Sequence, residues 1–222
     1  NNSGWSVSLN SDTSSNIFVA IGAYNNSENE NLAGHVRVYQ YDATKTSAVT
    51  DQSIANFGPI GWNRLGADID GEYAVDLFGY SVSLNDDGTI VAIGAIYNDG
   101  DDSNNSMRGH VRVFEYSSTD VSWNQLGSDI DGEAESDFSG YSVSLNSDGT
   151  IIAIGAPYND DGSGANGGNV RVYQYSSSDN SWNQLGADIN TGGHSEQFGD
   201  SVSLSSDGTI VAIGAPRWNS YR

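Results

Sequence analysis

The chain has 222 residues, 36% of them hydrophobic, and its 29 acidic side chains outweigh one lysine and seven arginines to give a formal net charge of −21. Such a surface repels phosphate backbones and anionic lipids, which argues against nucleic-acid binding and membrane docking. No apolar run is long enough for a transmembrane helix, and the lack of cysteine excludes disulfides and thiolate metal sites.

One phrase occurs four times along the chain. It starts at Gly4, Gly79, Gly140 and Gly199, and after one variable residue it reads Ser-Val-Ser-Leu. The glycines are 75, 61 and 59 residues apart. A period of this length predicts a repeat architecture, in which no unit buries its apolar surface alone. We therefore expect a single array over residues 1–222 and, without an initiator methionine or a signal segment, a mature chain or a fragment.

The second repeat shows most clearly what each unit contains. Apolar and small polar residues alternate in its first segment, and an Asp-Asp-Gly turn then predicts a tight hairpin. The predicted elements, in chain order, are a strand over 80–85, the hairpin turn 86–88, a strand over 89–97, a polar loop over 98–109, and strands over 110–116 and 123–127. Four antiparallel strands in about 60 residues are typical of a propeller blade.

The whole chain is accordingly predicted to be all-β, a propeller-type array of about three and a half four-stranded antiparallel blades. The predicted units are blade 1 over 4–70, blade 2 over 79–131, blade 3 over 140–190 and a half blade over 199–216. Blade 1 carries an insertion over 42–61 that contains the only lysine, Lys45. Apolar residues in this insertion (Ile54, Phe57 and Ile60) predict contact with another blade or another molecule.

Two short sequence motifs mark the start of a repeat and the end of its second strand. Phe-Gly opens repeats at Phe78-Gly79 and Phe198-Gly199, and Gly-Ala-Pro closes second strands at 155–157 and 214–216. In these residues the chain resembles the FG-GAP repeats of integrin-alpha-like β-propellers, over nearly its whole length. The resemblance implies an extracellular binding module. The family's calcium-binding loop is not expected in this chain, because the turns between the first two strands of each repeat are too short.

A different acidic spacing follows the fourth strand of two repeats and suggests a hard cation such as Ca²⁺. The candidate ligands are Asp68, Asp70, Glu72 and Asp76 after one strand, and Asp129, Asp131, Glu133 and Asp137 after the next. The third copy is degraded to Asp188, Asn190, Gly192 and Glu196. The alternative is an acidic turn between blades, in which Asp76 and Asp137 cap backbone amides.

Three glycosylation sequons begin at Asn1, Asn25 and Asn104. Asn25 and Asn104 fall in equivalent loops after the second strand, so we expect the two loops to point the same way and to carry glycan in a secreted eukaryotic protein. Chance occurrence in a chain rich in asparagine and serine is the alternative.

The remaining recurrent residues are interpreted as structural. The arginine of each Val-Arg-Val (Arg37, Arg112, Arg171) is expected to pair with a carboxylate between blades. The tryptophan that opens each fourth strand (Trp62, Trp123, Trp182) is expected to pack at the blade edge, with stacking on sugars as the alternative. His35 and His110 precede the arginines, but Asn169 occupies the third position, which argues against a metal or catalytic role.

No catalytic constellation is found in the sequence, so we expect a non-enzymatic, extracellular propeller module for adhesion or assembly. The alternatives are a structural subunit of a filament or matrix and a polysaccharide-processing propeller enzyme. The expected partners are a second copy of the chain, another extracellular protein or a glycan. Self-association would act through the apolar edge at Ile210, Val211 and Ile213.

Overall fold

A computed structural model describes residues 2–28, 30–53, 57–99, 106–160, 166–193 and 195–217. The fold prediction is confirmed, because these residues form an all-β, propeller-type array and no helix. The first sheet contains β1 (Ser6–Ser11), β2 (Ile17–Ala23), β3 (His35–Tyr41), β4 (Trp62–Arg64) and β5 (Ile69–Asp70). The second contains β6 (Phe78–Leu84), β7 (Ile90–Ala95), β8 (His110–Ser117), β9 (Ser122–Gln125) and β10 (Ile130–Asp131).

The third sheet contains β11 (Ser142–Leu145), β12 (Ile151–Ala156), β13 (Asn169–Ser176) and β14 (Ser181–Gln184), and the fourth contains β15 (Ser201–Leu204) and β16 (Val211–Gly214). In each of the first three sheets, the first strand pairs antiparallel with the second, and the second pairs antiparallel with the third. The fourth sheet has two strands in the described residues, in line with the predicted half blade. No helix of the described residues has the length and apolar character needed to cross a membrane.

The outermost strand is split in blades 1 and 2, which the sequence did not predict. Both β4 and β5 pair with β3, and both β9 and β10 pair with β8. Between the two halves lies a glycine in the left-handed region, Gly66 at φ +67° and Gly127 at φ +77°. This conformation is not that of an extended strand, and the chain leaves the sheet here and returns to it a few residues later.

The serines of the repeated phrase join each blade to the next. Ser6 Oγ donates a hydrogen bond to Gly79 O at 2.7 Å, and Ser8 Oγ accepts one from Leu84 N at 3.0 Å. The same two bonds recur at the following boundaries: Ser81 to Gly140, Leu145 to Ser83, Ser142 to Gly199 and Leu204 to Ser144. The small polar face of the first strand is therefore the face that contacts the neighbouring blade.

Replacing Ser81 with alanine is expected to lower the free energy of unfolding by about 1 kcal/mol, because the part-buried Gly140 carbonyl loses its donor. Urea unfolding followed by circular dichroism measures the change. Ser201→Ala is the matched control, since Ser201 holds the same position in the half blade and is exposed. Equal losses in the two variants would contradict the role of the serine between blades.

The hydrophobic core lies between adjacent blades, as a repeat architecture requires. One cluster joins blades 1 and 2 through residues such as Phe18, Val36 and Phe78, and a second joins blades 2 and 3. Among the described residues, no neighbouring blade covers the outer face of the first sheet or of the last sheet. Leu9 is 62% exposed at one end and Ile210 is 68% exposed at the other. Self-association through these faces remains a prediction.

The insertion over 42–61 packs on its own blade where it is described. Lys45 Nζ donates to Trp62 O at 2.6 Å, and the guanidinium of Arg64 lies 4.8 Å from the Phe57 ring centroid. Ile60 is exposed, and Ile54 lies outside the described residues. Contact of this insertion with another molecule stays a prediction.

Candidate functional site

Aromatic side chains line a cleft of about 360 Å³, here called the aromatic cleft. Its lining consists of Trp5, Tyr24, Leu77, Tyr80, Ile96, Tyr97, Phe138, Tyr141 and Tyr158. Its volume is within the range of small-molecule sites. Trp5 is 53% exposed and Tyr97 is 38% exposed, so a ligand in the cleft has ring surface to contact.

The repeat itself builds this cleft. Each of the first three blades supplies the ring that follows the repeated glycine (Trp5, Tyr80, Tyr141) and a tyrosine that follows the second strand (Tyr24, Tyr97, Tyr158). The glycines before the first set have φ values of +85°, +87° and +85°, a conformation that directs the chain sharply into the first strand. The fourth copy has Asp200 in place of a ring, so the aromatic series stops at the half blade.

The rings contact one another across blade boundaries. Trp5 lies 5.7 Å from Tyr80, and Tyr80 lies 5.1 Å from Tyr141, measured between ring centroids. Phe138 continues the series, at 5.1 Å from Tyr158 and 5.5 Å from Tyr97. Tilted and edge-on pairs at these separations are mutually attractive, so the rings stabilise one another's orientation.

Phenol hydroxyls supply most of the polar groups of the aromatic cleft, and none of its lining side chains is charged. Burial raises the pKa of Tyr80, and a hydrogen bond with Tyr141 raises it further, so this phenol is neutral at physiological pH. Asn2 Nδ2 donates to the Tyr24 hydroxyl at 2.9 Å. The cleft therefore suits an uncharged ligand that has both apolar faces and hydroxyl groups.

Two buried carboxyls immediately precede lining residues in the sequence, although neither belongs to the lining itself. Asp76 precedes Leu77, and Asp137 precedes Phe138. Asp76 Oδ2 accepts hydrogen bonds from Tyr73 N at 3.1 Å and Asn98 Nδ2 at 3.0 Å. Burial raises the pKa of Asp76 to about 6, and burial also raises the pKa of Asp137. A carboxyl with a raised pKa is a candidate for acid–base chemistry where its side chain can reach a substrate.

Asp137 repeats this arrangement in the next blade. Its Oδ2 accepts from Ala134 N at 2.9 Å and Asn159 Nδ2 at 2.8 Å. The capping role that the sequence offered as an alternative is therefore present for both aspartates. Leu77 and Phe138, the residues that follow them, have φ values of +58° and +52°. Ten further non-glycine residues of the described part have positive φ, so this conformation is a general feature of the turns of the array.

The other predicted calcium ligands lie in several different environments. Asp68 accepts from Arg37 and Arg64, both at 2.6 Å, and Asp70 pairs with His35 in the β3–β5 register. Glu72 reaches blade 2, where its Oε1 lies 3.6 Å from Arg112. In the second set, Asp129 and Asp131 lie 3.6 and 4.0 Å from His110, whereas Glu133 reaches Arg171 at 3.8 Å. Calcium binding by these eight carboxylates stays a prediction.

The structural interpretation is confirmed for the arginines and tryptophans of blades 2 and 3, whereas Arg37 pairs with Glu28 and Asp68 within its own blade. Arg112 and Arg171 approach Glu72 and Glu133, the carboxylates of the preceding segment between blades. The indole N–H of Trp123 donates to Leu65 O at 2.8 Å across a blade boundary, and Trp182 bonds Leu126 O in the same way. These indoles are bound to the neighbouring blade.

Of the three sequon asparagines, only Asn25 is among the described residues. It is half-buried and directly follows Tyr24 of the aromatic cleft. Asn1 and Asn104 lie outside the described part of the chain, so the expected common direction of the two loops stays a prediction, as does glycosylation.

The aromatic cleft was not predicted from the sequence. Its signal is the aromatic residue after three of the four repeated glycines and the tyrosine about 17 to 19 residues later, both visible when the repeats are aligned. Aromatic positions that recur on one rim of an array come together when the blades stack.

Comparison with known proteins identifies the fold. No protein-family model and no curated protein matches the chain. A solved structure from Bacteroides uniformis, of a "putative 6-phosphogluconolactonase", is similar to it with a TM-score of 0.55 and 10% sequence identity. The match covers 93% of this chain and 46% of that one, so the chain spans about half the length of its structural neighbour. At this identity the likeness supports the propeller-type fold.

The comparison also corrects one expectation. The sequence led us to expect a non-enzymatic module for adhesion or assembly, whereas the similar structure bears the name of an enzyme. The expectation failed because the search for catalytic motifs considered single stretches of sequence, and a propeller assembles its cleft from several blades. Nothing in the comparisons names FG-GAP repeats, and that resemblance stays a prediction.

Proposed function

We propose that the chain is part of a propeller-type enzyme whose aromatic cleft binds an uncharged saccharide or sugar lactone. The observation that carries the proposal is the series of seven rings around a cleft of about 360 Å³, without a charged lining side chain. Sugars present apolar C–H faces that pack on aromatic rings, and their hydroxyls bond to phenols and indoles. The name of the structural neighbour, a lactonase for a phosphorylated sugar, supports a sugar-derived substrate.

A phosphorylated sugar fits this cleft poorly. Recognition of a phosphate group normally uses arginine, lysine or a helix N-terminus. The cleft is lined by aromatic and aliphatic side chains, and the chain carries a net charge of −21 that repels anions. The proposed substrate is therefore an uncharged sugar, in contrast to the phosphorylated one in the neighbour's name.

The proposed chemistry is hydrolysis assisted by Asp76. With a pKa of about 6, this carboxyl exchanges its proton near neutral pH, which is what a general acid or base requires. Asp137, whose pKa is also raised, stands at the equivalent place in the next blade. The proposal assigns substrate binding to the rings. Asp76 is buried and bonded to Asn98 outside the cleft lining, so its role in proton transfer requires its side chain to turn toward the cleft.

Titration calorimetry with neutral oligosaccharides and sugar lactones tests the binding step. We expect Tyr80→Ala and Tyr141→Ala each to weaken binding by at least about 10-fold, because each removes a ring from the centre of the cleft. Tyr73→Ala is the matched control, since Tyr73 is 65% exposed and outside the cleft lining. No binding of any saccharide by the unaltered chain, or equal weakening in Tyr73→Ala, would contradict the proposal.

A hydrolysis assay on the saccharide that binds distinguishes the role of the rings in substrate binding from the role of Asp76 in proton transfer. Asp76→Asn is expected to reduce turnover at least about 100-fold while leaving the saccharide affinity within a factor of about three. Turnover unchanged by Asp76→Asn would remove this residue from the mechanism and leave the binding site in place. Location outside the cell and association with other proteins or glycans remain predictions that these assays do not address.

A further inference from the structure

We infer that Glu72, His110 and Asp129 form a binding site for one divalent transition-metal ion such as Zn²⁺, at the boundary between blades 1 and 2. Their ligand atoms all lie within 4.8 Å of one another. Glu72 belongs to the segment after β5, His110 opens β8, and Asp129 lies between β9 and β10. A metal there would join the segment that leaves blade 1 to two strands of blade 2.

The imidazole of His110 points to a ligand. Its side chain is 1% exposed, and its Nδ1 lies 3.6 Å from Asp129 Oδ2 and 4.0 Å from Asp131 Oδ1, beyond hydrogen-bond distance. Its Nε2 is buried without a hydrogen-bond partner in the described residues. Nδ1 is the ring nitrogen that faces the carboxylates, so a metal among them would bind Nδ1 and leave Nε2 unchanged. Donor atoms around tetrahedral zinc stand about 3.4 Å apart, and the distance of 3.6 Å between His110 Nδ1 and Asp129 Oδ2 is close to that value.

The chemistry of the three side chains fits a transition metal. His110 offers a ring nitrogen, and Glu72 and Asp129 each offer a carboxylate oxygen, as donor atoms for the metal. One imidazole with two carboxylates is a donor set that zinc accepts, with the remaining position open to water. Gln125 Nε2 donates to Asp129 Oδ1 at 2.5 Å, which leaves Oδ2 directed at His110 and orients the carboxylate.

Arg112 is the cation nearest to this site, and it is held to one side. Its guanidinium carbon lies 5.4 and 4.9 Å from the ring centroids of Phe78 and Phe114, and its Nε donates to Gln125 Oε1 at 3.2 Å. Its approaches to Glu72 and Asp129, at 3.6 and 3.9 Å, are longer than hydrogen bonds. Both carboxylates therefore keep oxygen atoms that are available to a metal, and their exposed fractions of 36% and 31% give an ion access from solvent.

The equivalent places in the other blades serve as internal controls. In blade 1, Glu28, His35 and Asp68 also cluster, but Arg37 donates to both carboxylates, at 3.0 and 2.6 Å. A guanidinium thus neutralises the position that a metal would take. In blade 3, Asn169 replaces the histidine and donates to Asp188 Oδ2 at 3.0 Å. Among the described residues, blade 2 has the imidazole, and its Arg112 forms ion pairs with Glu72 and Asp129 at 3.6 and 3.9 Å without a hydrogen bond to either carboxylate.

Calorimetric titration of the EDTA-treated whole chain with Zn²⁺ tests the site, with millimolar Mg²⁺ present to occupy isolated surface carboxylates. We expect one ion per chain and a rise in the melting temperature on binding. His110→Asn copies the residue that blade 3 tolerates, and it should weaken binding by more than about 10-fold, as should Glu72→Gln. The double variant His35→Asn/His194→Asn is the control, and it should still bind one ion.

Three results would overturn the inference. They are no Zn²⁺ binding by the unaltered chain, unchanged binding in both His110→Asn and Glu72→Gln, or loss of binding in the His35→Asn/His194→Asn control. Circular dichroism establishes that each variant is folded. Should His110→Asn fail to fold, Glu72→Gln decides alone, because this side chain is at the surface and its loss leaves the core intact.

Discussion

Replacing Gly94 with alanine is expected to lower the free energy of unfolding by about 2 to 3 kcal/mol and the melting temperature by about 5 to 10 °C. A β-carbon at this position would stand 2.1 Å from Gly140 O of the next blade and 2.5 Å from Ser81 Oγ. The first of these atoms is backbone and cannot rotate away, so the two blades must separate. Thermal and urea unfolding followed by circular dichroism measure the loss.

Gly214→Ala is the matched control for this effect. Gly214 holds the same position in the half blade, where the nearest atom to a new β-carbon is Ser201 Oγ, the end of a side chain that can turn aside. We expect a change below about 0.5 kcal/mol there. Gly155→Ala, with Gly199 O at 2.0 Å, should behave like Gly94→Ala. A small loss at Gly94 and Gly155, equal to that at Gly214, would contradict close stacking of the blades.

The sequence predicted the strands and blades because their signals are local and repeated. Alternation along 80–85 and the Asp-Asp-Gly turn each depend on neighbouring residues, and Asp87 Oδ1 indeed accepts from Thr89 N at 3.0 Å in the hairpin. The split of the outer strand was not predicted, because in a sequence a glycine such as Gly66 indicates that a strand ends and gives no sign that the chain rejoins the sheet. Only the sheet contacts of Ile69 show that the chain returns.

The candidate sites were harder to predict, since their members are far apart in the chain. Glu72 and Asp129 appeared in two different predicted calcium groups, yet they meet at one blade boundary because the segment after blade 1 packs on blade 2. Asp76 belonged to the first of those groups by spacing, but it turns into the protein to bond Asn98. Sequence spacing describes neither the angle between blades nor the direction of a side chain at a turn.

Asp76→Asn is expected to stabilise the protein by up to about 3 kcal/mol at pH 8. Burial raises the folded-state pKa of Asp76 from 3.8 to about 6, so the folded protein binds a proton that the unfolded chain has already released. Asp76 therefore favours folding less as the pH rises from about 4 to 6, and above pH 6 it opposes folding by the full amount. Asparagine retains an oxygen for Tyr73 N and Asn98 Nδ2 and has no charge to bury.

The measurement is the difference in urea unfolding free energy between Asp76→Asn and the unaltered chain from pH 5 to pH 8, above the isoelectric point of about 4.1. About half of the expected stabilisation should develop across this range. Asp148→Asn is the control of opposite sign, because hydrogen bonds from Thr150 lower the pKa of Asp148 and its charge stabilises the folded state. A pH-independent difference for Asp76→Asn would show that this carboxyl is ionised at no cost, and it would remove the proton-transfer role proposed for it.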